Sequence, residues 1–261
     1  MILGVDVSKW QDEVSWEVTA AAGAQFAFVR AGSINNVTGA CYTDYQFVRN
    51  ASFAPEHMPV GYYWYFRPQF DPVKQANYFC DLIENEEWTL PPVLDAEYDG
   101  GLTDAKVTAA MATFISQVYA RLNVWCIIYS RAEWLNVHTN THPLFKECDL
   151  WIARYNPFLK HPWEDANKYP ILKPRDWDDW KFWQYIANSN RAEEFGGEGP
   201  PGGDDDIDLN YFNGDEAEFN AYINKPQPPV QVQLPASGFV KLNFEIDGKD
   251  VKYQGTLNLV E

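Results

Sequence analysis

Pro91-Pro92-Val93-Leu94-Asp95-Ala96-Glu97 is a short apolar run that ends in two acids, the pattern of a buried strand that emerges from a hydrophobic core. Residues two apart in a strand point to the same side, with Cα atoms about 6–7 Å apart. Asp95 and Glu97 are therefore expected to project into the same space. Because neighbouring carboxylates repel, one should have a raised pKa and hold a proton near neutral pH, as a general acid must. A solvated strand end or a salt-bridged pair is the alternative that this motif leaves open.

Similar short runs recur on both sides of this stretch and alternate with helical patterns. The strand candidates are Ile2–Val7, Phe26–Ala31, Val60–Phe66, Pro92–Glu97, Val124–Ser130, Leu150–Tyr155, Phe182–Ile186 and Ile207–Phe212. The helix candidates are Asp71–Asn85, Thr103–Leu122 and Asp215–Asn224. The alternation predicts an α/β fold with a parallel sheet and crossover helices, and eight strands fit a closed, TIM-like (β/α) barrel.

Two further acids occupy comparable positions in the first and last strand candidates. Asp6 ends the first strand, and Asp208 lies in the last. Because the first and last strands of a closed barrel are neighbours, these carboxylates are expected to converge beside Asp95 and Glu97. A single Asp at either position would more often be a cap or a turn residue, whereas four converging acids indicate chemistry.

Aromatic residues make up 16% of the chain and include 11 Trp and 15 Tyr. The candidates for the inner face of the strands are Tyr63, Tyr65, Tyr129, Trp151, Tyr155, Trp183 and Tyr185. Their rings suit sugar faces as well as ordinary core packing, and core packing is the better interpretation for any single one. The segment Asp176-Trp177-Asp178-Asp179-Trp180 is predicted to border a groove, since tryptophans flanked by acids are poor candidates for deep burial.

The overall charge excludes several kinds of partner. With 20 Lys and Arg against 37 Asp and Glu, the formal net charge is −17, which opposes binding to nucleic acid or anionic lipids. No apolar run approaches the roughly 20 residues needed to cross a bilayer. The N-terminus, Met1-Ile2-Leu3-Gly4-Val5, lacks the features of a secretory leader, so we expect synthesis without a signal peptide.

The sequence gives no indication of a metal or another cofactor. The four cysteines, at positions 41, 80, 126 and 148, are widely spread, which favours buried free thiols over a disulfide scaffold. No HExxH or CxxC motif is present. Asp204-Asp205-Asp206 could bind calcium, but a solvated acidic loop is the favoured interpretation.

The composition changes after Asn224. Residues 225–235 begin with Lys-Pro-Gln-Pro-Pro-Val-Gln, which indicates a stiff linker between a catalytic domain at 1–224 and a tail at 236–261. In the tail, apolar and polar residues alternate around Asp247-Gly248, a strong two-residue hairpin signal. Because a lone hairpin is not stable in water, we expect it to mediate self-association or attachment to another component. Packing against its own barrel is the alternative.

The motifs together resemble those of glycoside hydrolase family 25, the muramidases found in phage lysins, bacteria and some fungi. The matching segments are Gly4–Ser8, Phe26–Ala31, Gly61–Phe66, Leu94–Glu97, Leu150–Tyr155, Trp183–Tyr185 and Asp208–Asn210. The resemblance covers nearly all of residues 1–224. It implies an irregular barrel of eight strands and about five helices, and cleavage of the β-1,4 bond from N-acetylmuramic acid to N-acetylglucosamine in the peptidoglycan of the bacterial cell wall.

The resemblance also implies roles for individual residues. Glu97 looks like the proton donor and Asp95 like its partner, while Asp6 and Asp208 look like supporting acids. Arg30 stands where the family often has Lys, in a substrate-binding position. The rival hypotheses are a non-catalytic glycan-binding or virion-structural protein on the same barrel, and a hydrolase of another N-acetylated glycan such as chitin.

Overall fold

The computed structural model describes residues 1–155, 173–187, 189, 191–197 and 206–224 with their side chains, and the backbone of 239–246 and 249–256. The chain divides into two compact units, Met1–Pro228 and Pro229–Glu261. Within the described ranges no helix is long and apolar enough to cross a membrane.

The first unit is built on a closed barrel. Its strands are β1 (Ile2–Val7), β2 (Ala27–Ile34), β3 (Cys41–Thr43), β4 (Val60–Tyr65), β5 (Val93–Asp95), β6 (Ile127–Ser130), β7 (Leu150–Ala153), β8 (Phe182–Ile186) and β9 (Asp208–Phe212). The sheet runs β1-β9-β8-β7-β6-β5-β4-β2-β3, and an additional β1–β2 pairing closes it. Strand β3 pairs only with β2, so eight strands form the barrel and the prediction of an eight-stranded barrel is confirmed.

One strand departs from the expected parallel arrangement. Strands β1, β2 and β4–β8 run parallel to one another, whereas β9 is antiparallel to both β8 and β1. The expectation of a parallel sheet is therefore wrong for the last strand, because an alternating apolar run does not encode strand direction. The reversal puts the start of β9 at the carboxyl end of the other strands, and Asp208 is the register partner of Asp6.

Six α-helices lie in the described part of this unit. They are α1 (Trp16–Ala21), α2 (Phe47–Phe53), α3 (Pro72–Ile83), α4 (Asp104–Leu122), α5 (Ala132–His138) and α6 (Glu216–Ile223). Two of the predicted helices carry side-chain caps. The Asp71 side chain accepts hydrogen bonds from the backbone N–H groups of Val73 and Lys74, and Asp215 and Glu218 form a capping box at α6. Helices α1, α2 and α5 have only six or seven residues and no side-chain cap, too short for a clear amphipathic pattern, and the sequence did not reveal them.

Aromatic rings fill the amino-terminal end of the barrel. Phe28 stacks on Trp151 with ring centroids 4.3 Å apart. Phe219 of α6 lies 5.1 Å from Phe212 and 5.7 Å from Phe26, so α6 closes this end. Glycine is required at Gly4, because a Cβ there would lie 2.4 Å from the Phe26 ring. The amino-terminal end of the barrel interior is consequently filled with side chains.

All four cysteines are free, as expected, and Cys80, Cys126 and Cys148 are buried, whereas Cys41 is only partly buried. The second unit contains β10 (Phe239–Ile246) and β11 (Lys249–Thr256), which pair antiparallel from Ile246–Lys249 outward. This pairing agrees with the expected hairpin. The turn residues Asp247 and Gly248, the predicted linker at 225–235 and the Asp204-Asp205 pair lie outside the described residues.

Replacement of Phe219 by Ala tests the role of α6 as the closing element. Phe219 is 4% exposed and contacts two interior rings, so we expect Phe219→Ala to lower the free energy of unfolding by about 3–5 kcal/mol. Phe53→Ala is the matched control, because Phe53 is 50% exposed and should cost less than about 1 kcal/mol. Equal losses in denaturant titrations would show that α6 does not close the barrel.

Candidate active site

A cavity of about 510 Å³ opens at the carboxyl ends of the barrel strands. The four acids predicted from the sequence, Asp6, Asp95, Glu97 and Asp208, all line it. The remaining lining residues are Ser8, Trp10, Gln11, Arg30, Tyr63, Tyr65, Tyr129, Trp151, Gln184 and Asp206. Strand periodicity accounts for this convergence, since residues i and i+2 face the same side.

Two buried amides hold the Asp6 carboxylate. Its Oδ2 atom accepts hydrogen bonds of 2.8 Å from Nε2 of Gln184 and from Nδ2 of Asn210. The same Gln184 nitrogen lies 3.2 Å from Oδ2 of Asp208. Asn210 is oriented in turn by Trp151, whose indole N–H donates to Oδ1 at 2.8 Å. Gln184 thus bridges the first and last barrel strands at the base of the cavity.

The amide oxygen of Gln184 orients two tyrosines. Its Oε1 atom accepts hydrogen bonds from the hydroxyl groups of Tyr129, at 2.7 Å, and Tyr155, at 2.8 Å. With both amide atoms satisfied, the Gln184 side chain is fixed in one orientation. Tyr155 is 45% exposed and borders the cavity, while Tyr129 is buried within it.

Burial raises the pKa values of Asp6, Asp95 and Glu97. The pKa of Asp6 rises to about 6, mainly by desolvation, although the amide hydrogen bonds oppose the rise. The pKa of Asp95 lies well above its ordinary value because Asp95 is desolvated and faces the Glu97 charge. Desolvation also raises the pKa of Glu97, and Arg131 counteracts part of that rise. The barrel therefore keeps protons on carboxyl groups at pH values where exposed acids are ionised.

The side chains of Asp95 and Glu97 lie close enough for each to influence the pKa of the other. Asp95 is 4% exposed, and its Oδ1 atom is buried without a hydrogen-bond partner among the described residues. A buried acceptor without a donor is costly.

Arg30 lines the cavity, but a buried acid engages its charge. Its Nε atom donates to Oδ2 of Asp44 at 2.6 Å, and the Asp44 side chain is fully buried. The backbone N–H groups of Lys9 and Gln46 also donate to Asp44. The sequence analysis did not single out Asp44, which lies just beyond β3 and carries no motif of its own.

The structure brings most, but not all, of the predicted aromatic residues to the cavity. Tyr63, Tyr65, Tyr129 and Trp151 line it, and Tyr155 lies at its border. The expected inward position of Trp183 and Tyr185 is wrong, because Gln184 between them takes the inner face of β8. The rings of Trp183 and Tyr185 instead pack against Tyr211, within the layer between the strands and the helices.

Several lining residues were missed by sequence reasoning. Trp10 is 60% exposed at the cavity, on the short 3-10 helix Lys9–Gln11. A capping box between Ser8 and Gln11 fixes this helix, and Gln11 also donates to the carbonyl oxygen of Asp206. The S-x-x-Q pattern after β1 could have revealed the turn.

An open barrel end with paired acids and aromatic walls is typical of glycoside hydrolases, and the comparisons with known proteins define the family. The family model described as Glycosyl hydrolases family 25 matches residues 5–193, and the chain belongs to this family. It is a glycoside hydrolase of the lysozyme type. The matched range contains Asp6, Asp95 and Glu97 and ends before Asp208.

Relatives and solved structures extend the match over most of the chain. Lysozyme M1 from Streptomyces globisporus is 29% identical over 235 residues, covering 85% of this chain and 71% of its own. The uncharacterized protein YegX of Escherichia coli K12 is 29% identical over 229 residues, covering 85% and 74%. The bacterial lysozyme from Streptomyces coelicolor aligns with a TM-score of 0.68 at 26% identity, covering 85% of this chain and 97% of that one. A family 25 glycosyl hydrolase from Bacillus anthracis aligns with a TM-score of 0.62 at 26% identity, covering 85% of this chain and 93% of that one.

The raised pKa of Asp6 predicts a pH-dependent stability. Because the folded pKa is about 6 and the ordinary value is 3.8, the folded state binds this proton more tightly than the unfolded chain. The resulting stabilisation is complete below the ordinary value and is lost as the pH rises through about 6. Relative to Asp6→Asn, the wild-type protein should lose about 2 kcal/mol of unfolding free energy between pH 4.5 and 7.5.

Urea titrations of both proteins across this range provide the measurement, with moderate salt to screen the net charge. Two stability curves that stay parallel would show that Asp6 titrates as an ordinary exposed acid.

Proposed function

We propose that this chain is an N-acetylmuramidase that cleaves the β-1,4 bond from N-acetylmuramic acid to N-acetylglucosamine, with Glu97 as the proton donor. The observation that carries the proposal is the adjacent pair Asp95 and Glu97, which line an acid-rich cavity where burial raises the pKa values of both. The related lysozyme M1 and the N,O-diacetylmuramidase of a Chalaropsis species, 24% identical over 161 residues, agree with this substrate class. Cleavage of another N-acetylated glycan, such as chitin, is the competing outcome of the test.

The pair explains how Glu97 could carry a proton at the moment of reaction. Two carboxyl groups in close contact titrate as a unit, and the proton resides on the group whose charged form is less well stabilised. An N–H group of the substrate that donates to the Asp95 carboxyl group from the cavity would stabilise ionised Asp95. The proton then belongs to Glu97, which delivers it to the glycosidic oxygen.

The position of the two acids on one strand also limits what Asp95 can do. Two acids that flank a sugar from opposite sides stand about 5–5.5 Å apart in retaining and about 6.5–9.5 Å apart in inverting enzymes. Asp95 and Glu97 project to the same side of one strand end, where each influences the pKa of the other, so both approach a bound sugar from the same side. Asp95 would therefore act beside the proton donor, by orienting a substrate acetamido group or by stabilising positive charge. Asp6 and Asp208 would add negative potential to the same region.

The aromatic residues supply the walls for sugar binding in this proposal. Tyr63, Tyr65, Tyr129 and Trp151 line the cavity around the acids. Gln184 fixes Tyr129 and Asn210 fixes Trp151 through hydrogen bonds, so these two side chains are preorganised. Arg30, anchored by Asp44, would contribute to substrate binding from the β2 side of the cavity.

Substitution of the proton donor tests the assignment. Glu97→Gln removes the transferable proton but keeps the shape of the side chain. We expect the rate of peptidoglycan solubilisation to fall by at least about 100-fold, with thermal stability close to wild type. Glu17→Gln on the exposed face of α1 is the matched control and should leave the rate unchanged. A Glu97→Gln protein that kept a third of the activity would end the assignment.

We further propose that the tail is a separate domain, with residues 225–235 as a linker and a hairpin that mediates self-association or attachment to another component. The division of the chain at Pro228 supports this proposal. The strand register also supports it, because the apolar residues Leu242 and Phe244 are the register partners of Tyr253 and Val251. A two-stranded sheet leaves both outer edges unpaired.

A chain that ends at Asn224 tests the role of the tail. We expect it to keep the thermal stability and the activity of the full chain on a soluble glycan, because the barrel and its closing helix are complete. If the hairpin joins copies of the chain, light scattering should show a lower molar mass, and so a smaller oligomer, for the shortened chain than for the full chain. An unchanged oligomeric state together with a large fall in melting temperature would show instead that the hairpin is part of the barrel's own fold.

A further inference from the structure

Arg67 lies on the rim of the active site, two residues beyond the end of β4. Its guanidinium carbon is 5.2 Å from the ring centroid of Tyr65 and 5.0 Å from that of Tyr98. Tyr65 lines the cavity, and Tyr98 directly follows Glu97 in the chain. The arginine is therefore held between one ring that lines the catalytic cavity and a second ring that directly follows Glu97 in the chain.

The backbone of Arg67 is fixed by a buried side chain. Gln75, which is fully buried, accepts a hydrogen bond from the Arg67 N–H group at 3.2 Å and donates one to its carbonyl oxygen at 2.9 Å. The rings and the glutamine together hold the guanidinium group in place before any ligand arrives. Such preorganisation lowers the entropic cost of binding.

Arg67 has no acidic partner among the residues that the structure describes. Arg30, Arg49, Arg121 and Arg191 each lie within 4 Å of a carboxylate. No ion pair or side-chain hydrogen bond joins Arg67 to the described residues, and its Nε atom is buried without a partner. The two rings account for the flat faces of the guanidinium group, but its in-plane N–H donors have no acceptor.

We propose that Arg67 binds a carboxylate on the muramoyl side of the glycan and thereby selects muramoyl sugars over neutral ones. A guanidinium group presents parallel N–H donors that match a carboxylate in a bidentate geometry. A carboxylate entering a cavity lined by Asp6, Asp95, Glu97 and Asp208 is repelled, so it needs a cation at the rim. Two other arginines near the acids already act on carboxylates, since Arg30 pairs with Asp44 and the charge of Arg131 acts on Glu97.

The inference rests on the proposed muramidase function and names the part of the substrate that this enzyme recognises. N-acetylmuramic acid differs from N-acetylglucosamine by a lactyl ether, whose carboxyl group is free in peptide-stripped strands and is an amide in peptide-bearing strands. In the second case, the carboxylates of the peptide are the available anions. The lactyl group and the peptide thus present the same chemical group to the enzyme, a carboxylate on the muramoyl substituent.

Three substrates distinguish the lactyl carboxylate from the carboxylates of the peptide. They are peptide-stripped glycan strands with free lactyl carboxylates, the same strands with these groups converted to neutral methylamides, and intact peptide-bearing strands. Wild-type enzyme should show a KM for the neutral strands about tenfold above that for the free-acid strands, with similar kcat, because the contact is made equally in the ground and transition states. Arg67→Gln should abolish this difference, and Arg67→Lys should restore part of it.

Arg49→Gln is the matched control. It removes the same charge from α2, where Arg49 pairs with Glu13, and should leave the preference for free-acid strands intact. Thermal denaturation of each variant separates a folding defect from a binding defect. If Arg67→Gln does not fold, Arg67→Lys and the salt dependence of the wild-type preference carry the test, because an ion contact weakens with salt.

The outcomes are distinct. A KM increase for Arg67→Gln on free-acid strands alone assigns the lactyl carboxylate, and an increase on peptide-bearing strands assigns the peptide carboxylates. Unchanged KM values on both would overturn the inference, as would a wild-type preference that disappears equally in Arg49→Gln. If wild-type enzyme cleaves none of the three substrates, the proposed muramidase function fails instead, whatever the role of Arg67.

Discussion

The structure depends on the burial of like charges at one end of a barrel whose other end is filled with aromatic rings. The alternation of strand residues puts Asp6, Asp95, Glu97 and Asp208 on the inner face, where desolvation raises the pKa values of the first three. Phe219 and the other interior rings fill the amino-terminal end of the barrel and exclude water from that side. A cluster of this kind opposes folding above neutral pH, and the amide groups of Gln184 and Asn210 offset part of that cost.

The sequence predicted the barrel well because its strands carry unambiguous local signals. The apolar runs at β1 and β8 match the predicted bounds, and the acids at strand ends lie where strand periodicity places them. The direction of β9 could not be predicted, since apolar alternation is the same for both directions. The short helices α1, α2 and α5 were not predicted, for a related reason. They depend on tertiary packing rather than on caps or a long amphipathic pattern.

The errors at the candidate site have a common physical origin. The aromatic character of Trp183 and Tyr185 suggested sugar binding, but the central residue of that triplet, Gln184, faces inward. A polar residue between two aromatics on a buried strand is a signal for an interior hydrogen-bond network, which the cavity acids require. Asp44 and Asn210 were missed in the same way, because each serves another polar group rather than forming a motif.

The most direct test of the account is the identity of the sugar at the new chain ends. Purified peptidoglycan is digested with the wild-type protein, the fragments are reduced with borohydride, and mass spectrometry identifies the reduced terminal sugar. Cleavage by protonation of the bond that follows N-acetylmuramic acid predicts muramitol ends throughout the digest. Glucosaminitol ends, or a digest in which no new reducing ends form, would contradict the assignment of this cavity as a muramidase site.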